Sequence, residues 1–215
     1  MGSDSARIRE LTVEAVNAAA EMVARPTVAQ RWSEPSALDG MTVGALAAHT
    51  LRAAGSVIAY LDRTDPDTKP DGELLTPITY FRAAIESRIH DRIKEVSADE
   101  SSIGHQATAE SFRELVSALG TRLAQEPPDR VVAALGGRFI LLDDFCQTRL
   151  IEVLTHLDDL AASLDEERPA TSQESIRIVI DILIGIAADR NGDWNVLRAL
   201  SRRERVADLA VFPVF

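Results

Sequence analysis

The chain has 215 residues, with 23 Lys and Arg against 34 Asp and Glu, a formal net charge of −11, and 46% hydrophobic residues. That length fits one domain, and a domain of this size buries roughly 70% of its unfolded surface without disulfide staples. The acidic balance excludes a nucleic-acid binder, which needs a basic stripe, and argues equally against docking on an anionic membrane.

A first helix is expected over about Ser5–Ala24, with Ile8, Leu11, Ala15 and Met22 on one side. Its charges, Asp4, Arg7, Arg9, Glu10 and Glu14, break any leader-like apolar run. Arg25-Pro26 ends it, because a residue before proline avoids the α region. A loop follows through Trp32 and Pro35 to the turn pair Asp39-Gly40. Thr42 reads as an N-cap, and Met41 and Leu46 are spaced as a hydrophobic staple. The second helix, about Val43–Asp62, is apolar nearly all round as far as Leu51, the pattern of a helix buried on most sides.

A charged connection, Asp62–Gly72, leads to Thr76-Pro77, a cap followed by proline at the first helical position. The third helix then runs to about Val96. Thr108 opens a fourth, which ends before Pro127-Pro128, and Gly136-Gly137 is a turn. A long helix is expected over about Asp143–Leu164. Thr171 to Glu174 reads as a capping box for a helix to about Ala188, and a short helix near Trp194–Arg203 precedes an apolar tail, Leu209–Phe215. No stretch reaches the ~20 apolar residues needed to span a bilayer. Long helices with modest loops predict a bundle. The single cysteine, Cys146, rules out an internal disulfide and fits a reducing cytoplasm.

Chemistry concentrates in the long helix. Glu152 and His156 stand one turn apart on one face, where a carboxylate and an imidazole can close on one metal ion. His49, on another apolar helix, is the third candidate. Two nitrogens and one carboxylate suit zinc, and accept nickel, cobalt or iron(II). Three protein ligands leave coordination positions open, as catalytic sites do. At roughly 100° per residue, all three groups fall on the flanks of their apolar stripes. That placement predicts a cleft edge. It is also that of a solvated Glu–His pair beside an unrelated histidine, which spacing alone favours.

The segment Trp32–His49, with Pro35, Gly40, Met41, Thr42 and Val43, resembles the start of the DinB-like metal-binding four-helix bundles. It is most similar to the branch of the mycothiol-dependent maleylpyruvate isomerase N-terminal domain. There a tryptophan–proline loop leads into a helix bearing the first ligand histidine. The segment Leu142–Ala161, with Glu152, His156, Asp159, Leu160 and Ala161, resembles that family's second signature, which supplies the other two ligands. Together the motifs span most of residues 1–188.

The resemblance implies an all-α, DinB-like four-helix bundle over 1–188. The remainder, 189–215, is expected to form a short helix and an apolar tail packed on the bundle. It implies a zinc or related divalent ion such as nickel, held by His49, Glu152 and His156. It further implies a cytoplasmic transferase or isomerase that uses mycothiol or a similar thiol on a small electrophile. The isomerase-type proteins carry a sizeable second domain, and 189–215 is too short for one, which counts against maleylpyruvate isomerase activity itself. The alternatives are a non-catalytic bundle that senses or binds a ligand or partner, and a metal-free interaction domain.

Around these residues, Arg149 reads either as an ordinary ion-pair partner of Glu152 or as a binder of an anionic substrate. Asp159 reads as the acceptor of the His156 ring N–H, or as a solvated carboxylate. Arg82, with Tyr60 and Tyr80, is a candidate for lining a cleft above the ion. Cys146 falls mid-stripe and reads as a small buried hydrophobe. His90 and His105 lack ligand-spaced partners and read as surface residues, as does the run Arg202–Arg205. The apolar tail is expected to pack on the bundle, with a homodimer as the other assembly it allows.

Overall fold

The computed structural model describes residues 2–86, 90–201, 204 and 210–214. Its elements are α1 (Gly2–Val23), α2 (Pro26–Gln30), α3 (Val43–Arg63), α4 (Pro77–Glu86), α5 (His90–Glu100), α6 (His105–Gln125), β1 (Val131–Ala133), β2 (Phe139–Leu141), α7 (Leu142–Leu164), α8 (Gln173–Asn191) and α9 (Asp193–Ser201). The fold is an all-α bundle. Helices α1 and α3 each pack on both α6 and α7, so the four long helices go round in the order α1, α6, α3, α7. Helix α5 lies along α3, and α4 bridges α7 and α8. Among the described residues, no helix is long and apolar enough to cross a membrane.

The core lies where the apolar stripes meet. Leu11, Met22, Leu46, Leu61, Phe112, Leu119, Phe145 and Leu150 are fully buried there. Each such side chain contributes about 1.5–3 kcal/mol on leaving water. Cys146 sits among them with no exposure, as the stripe predicted.

Buried arginines tie helix ends together. Arg9 on α1 donates to the carbonyls of Leu123 and Pro127 at the end of α6, and pairs with Asp143 at the start of α7. Arg130 donates to the carbonyl of Leu61 in the last turn of α3 and to those of Thr64 and Asp65 just beyond it. The last carbonyls of a helix have no internal partner and carry its negative end, so a guanidinium fork suits both ends.

Several local expectations shift. Residues 26–30, read as loop, form a one-turn helix started by Pro26 at N1. Helix α6 opens at His105, and Thr108 lies inside its first turn, donating to Gly104 O. Such back-bonding lets threonine sit within a helix. Ser172, not Thr171, caps α8, accepting from the Glu174 N–H at 3.2 Å, while the Glu174 carboxylate turns to Arg7. The turn at Gly136-Gly137 joins an antiparallel hairpin that the sequence did not reveal, pairing Val131 with Leu141. Two strands of three residues are too short to show alternation.

His105 is half-buried, with Nε2 against Val23 O at 2.7 Å and its ring edge-on to Trp32, rather than a free surface group. Helix α9 packs on α8, and Val211 and Val214 of the tail are buried. The side chain of His90 and residues Arg202, Arg203, Arg205, Leu209 and Phe215 lie outside the described residues.

The loop before α3 prepares the helix that carries His49. The first N–H groups of a helix need outside acceptors. Val43 and Gly44 donate to the carbonyls of Glu34 and Trp32, and Ala45 donates to the Thr42 hydroxyl. The Trp32 ring lies directly on Gly44, so a Cβ there would stand 2.5 Å from the indole. Gly44→Ala is expected to lower stability by about 1–3 kcal/mol through overpacking. Urea unfolding measures it, and an unchanged midpoint would refute this contact as a constraint.

Candidate metal centre

His49 projects from α3 and Glu152 and His156 project from α7, and the packing of these two helices closes the three into one cluster. One ligand atom from each lies within 4.8 Å of the other two. His49 Nε2 stands 3.4 Å from Glu152 Oε2, and His156 Nε2 stands 3.5 Å from the same oxygen. The imidazoles cross edge-on at 4.7 Å. Among the described residues, this is the cluster of His, Cys, Asp and Glu side chains close enough to hold an ion.

The spacing fits a metal. Ligand atoms at about 2.1 Å from a tetrahedral zinc stand about 3.4 Å apart. The second partners fit unequally. His156 Nδ1 lies 2.9 Å from Asp159 Oδ2, so its Nδ1–H is held by a carboxylate and Nε2 faces the cluster. Asp159 is itself placed by the end of α7, where its carbonyl accepts from Ser163. His49 Nδ1 instead meets the Arg52 guanidinium at 3.0 Å.

Electrostatics follow from this packing. Burial alone would raise the Glu152 carboxyl, but hydrogen bonds from His156 and His49 and the field of Arg149 outweigh it and hold the carboxyl well below its usual range. Burial alone would lower His156, but hydrogen bonds to Asp159 and Glu152 raise it to about 9. Burial lowers His49, only partly opposed by Glu152. Without an ion, the cluster is therefore an ionised carboxylate receiving an imidazolium and a neutral imidazole.

The triad is more enclosed than the helical wheel implied. His49 is 8% exposed, and the Glu152 and His156 side chains keep 23% and 13% of their surface. Helix α5 lies over this flank and reaches it through Arg52, which pairs with Glu100.

Arg149 is 6% exposed. Of its two sequence readings, the ion pair with Glu152 does not form. Its hydrogen bonds go to the hydroxyls of Thr148 and Tyr80, and its guanidinium lies over the rings of Phe145 and Tyr80. Tyr60 stacks on Phe145. Arg82 pairs with Asp189 of α8 at 2.9 Å and is half-exposed, which ties α4 to α8. Burial pushes the Cys146 thiol up to about 12, which leaves it inert as a nucleophile. Arg52, Ser97 and Glu100 went unread in the sequence. Arg52 stands three residues after His49, the same spacing that singled out Asp159 after His156, and that spacing was the signal available.

An all-α bundle that closes two histidines and a glutamate between two of its helices has the donor set of a divalent-metal protein. The match to known families is consistent with that class: the chain belongs to the mycothiol maleylpyruvate isomerase N-terminal domain family, whose model covers residues 13–161. All three triad residues and Asp159 fall within the match. No curated protein and no solved structure matches the chain.

Proposed function

We propose that this protein holds one divalent ion on His49, Glu152 and His156 and uses a small thiol of the mycothiol type in transfer to, or isomerisation of, a small electrophile. The observation that carries the reading is the convergence of both Nε2 atoms on one Glu152 oxygen, at 3.4 and 3.5 Å, in a chain of this family. A bound ion such as zinc or nickel would supply a Lewis-acidic position at which an entering thiol gives up its proton.

The chain's own residues do the rest. Asp159 holds the His156 ring by its Nδ1–H, so that Nε2 is the nitrogen that would give up its proton to the ion. Arg149 offers a buried cation with neutral partners one turn before Glu152, suited to a carboxylate on the electrophile. No protein nucleophile is required, since the thiol arrives with the co-substrate and Cys146 is sealed in the core.

Elemental analysis of the native protein tests the reading, with about one equivalent of ion expected. Finding none, even after zinc is added, overturns it. A loaded protein that conjugates no thiol to a panel of electrophiles overturns the catalytic part and leaves a ligand-binding bundle. Arg149→Met is expected to keep the ion while raising KM for carboxylated electrophiles about 10–100-fold, the worth of a charged hydrogen bond. Equal kinetics on acidic and neutral electrophiles in wild type and variant would exclude that role.

A further inference from the structure

The two histidines of the triad are held from behind by opposite charges, and that asymmetry has a consequence for metal entry. His156 presents Nδ1 to the Asp159 carboxylate at 2.9 Å. His49 presents Nδ1 to Arg52 Nη2 at 3.0 Å. An arginine has donors only, so the His49 Nδ1 must be the acceptor. The same Nη2 also donates to Ser97 Oγ at 2.9 Å, which engages both of its hydrogens. Nε of Arg52 is fixed on Glu100 Oε2 at 2.9 Å. Arg52 is thus pinned by two residues of α5 with one N–H aimed at the ring.

With Nδ1 accepting from Arg52, the His49 ring carries its proton on Nε2, which stands 3.4 Å from Glu152 Oε2. That is the tautomer without a lone pair toward the cluster. A ring bound to an ion through Nε2 has its proton on Nδ1, and Nδ1–H against Arg52 N–H sets donor against donor.

We propose that Arg52 is a latch that holds His49 in the metal-refusing tautomer, so that the triad takes an ion only when Arg52 leaves Nδ1 and the ring proton moves from Nε2 to Nδ1. No covalent change beyond that proton shift is needed, and solvent carries it. Because Ser97 and Glu100 hold the latch, the position of α5 sets how readily the ion enters. Arg52 is a positioning residue: it touches no ligand atom and acts through His49. This inference rests on the metal reading above.

Histidine-labelled protein and zinc separate the two ideas. In long-range proton–nitrogen spectra of the metal-free wild type, His49 is expected as the Nε2–H tautomer, changing to Nδ1–H with zinc on Nε2. Arg52→Gln, whose amide oxygen can accept from Nδ1–H, is expected to show the Nδ1–H form before zinc is added. It should bind zinc about tenfold more tightly in competition with a chelator, the lower end of the effect of a residue behind a ligand. Zinc bound equally well by wild type and Arg52→Gln, or an Nδ1–H His49 in the metal-free wild type, overturns the latch and leaves the metal reading standing. Zinc bound by neither protein overturns the metal reading and the latch with it. Zinc bound by the variant alone supports both.

Discussion

Replacing His156 with alanine leaves a folded bundle that has lost at least about 99% of its affinity for the ion. Zinc held by four protein ligands is worth on the order of 10–16 kcal/mol in small domains, so one ligand accounts for about 3 kcal/mol, or about 100-fold. His49→Ala and Glu152→Ala are expected to fall at least as far. Asp159→Asn keeps a hydrogen-bond acceptor for Nδ1 but removes the charge, and is expected to cost about 10-fold or less, because a weaker hold on the His156 proton offsets part of the loss below pH 9. The gradation matters more than any one value. A chain of net charge −11 can collect divalent ions on acidic surface, and such ions would be indifferent to His156. Zinc competition on the four variants, beside their thermal melts, reads the series. Retention of a stoichiometric, tight ion by His156→Ala would place the metal elsewhere.

The helices were legible because their signals are local. Thr42 caps α3 through the predicted hydroxyl contact, and the apolar run of Val43–Leu51 is largely buried, as a stripe covering most of the helix requires. The pairing of Glu152 with His156 also follows from spacing within one helix. That His49 joins them is a tertiary fact, fixed by how α3 packs on α7, and only the two motifs together suggested it. What escaped the sequence depends on neighbours distant in the chain. Spacing allowed Arg149 to be a helical partner of Glu152 or a binder of an anionic substrate, and the rings of Tyr80 and Phe145 take its guanidinium. Arg82 was a candidate for lining a cleft above the ion, and its partner Asp189 on α8 lies 107 residues away in the chain. Arg52 gained its role from Ser97 and Glu100 on α5. The hairpin of β1 and β2 is held by pairing with Leu75 as well as by its own turn, again through a contact that periodicity does not encode.

The metal-free protein is expected to lose stability between pH 6.5 and 9, whereas the metal-saturated protein stays level over the same range. His156 titrates near 9 in the fold and has an ordinary value of 6.5. A group raised on folding stabilises fully below its unfolded value, and that contribution vanishes as pH rises through the folded one. A shift of that size corresponds to roughly 3 kcal/mol. The other two triad members do not oppose this trend. Glu152 is depressed, so its contribution is complete above its ordinary value of 4.5 and is lost only toward acid. His49 is lowered, so above pH 6.5 it is neutral both folded and unfolded. An ion on Nε2 displaces the His156 proton. The loaded fold then binds no proton there, and neither does the unfolded chain above pH 6.5, which gives the level line. By linkage, zinc affinity climbs about tenfold per pH unit from 6.5 and flattens near 9. Chemical unfolding at half-unit pH steps, with and without saturating zinc, measures both lines. Asp159→Asn supplies the control, because removing that carboxylate lowers His156 and should flatten the metal-free slope. A metal-free protein whose stability rises from pH 6.5 to 9 would show that the triad does not hold its proton on His156.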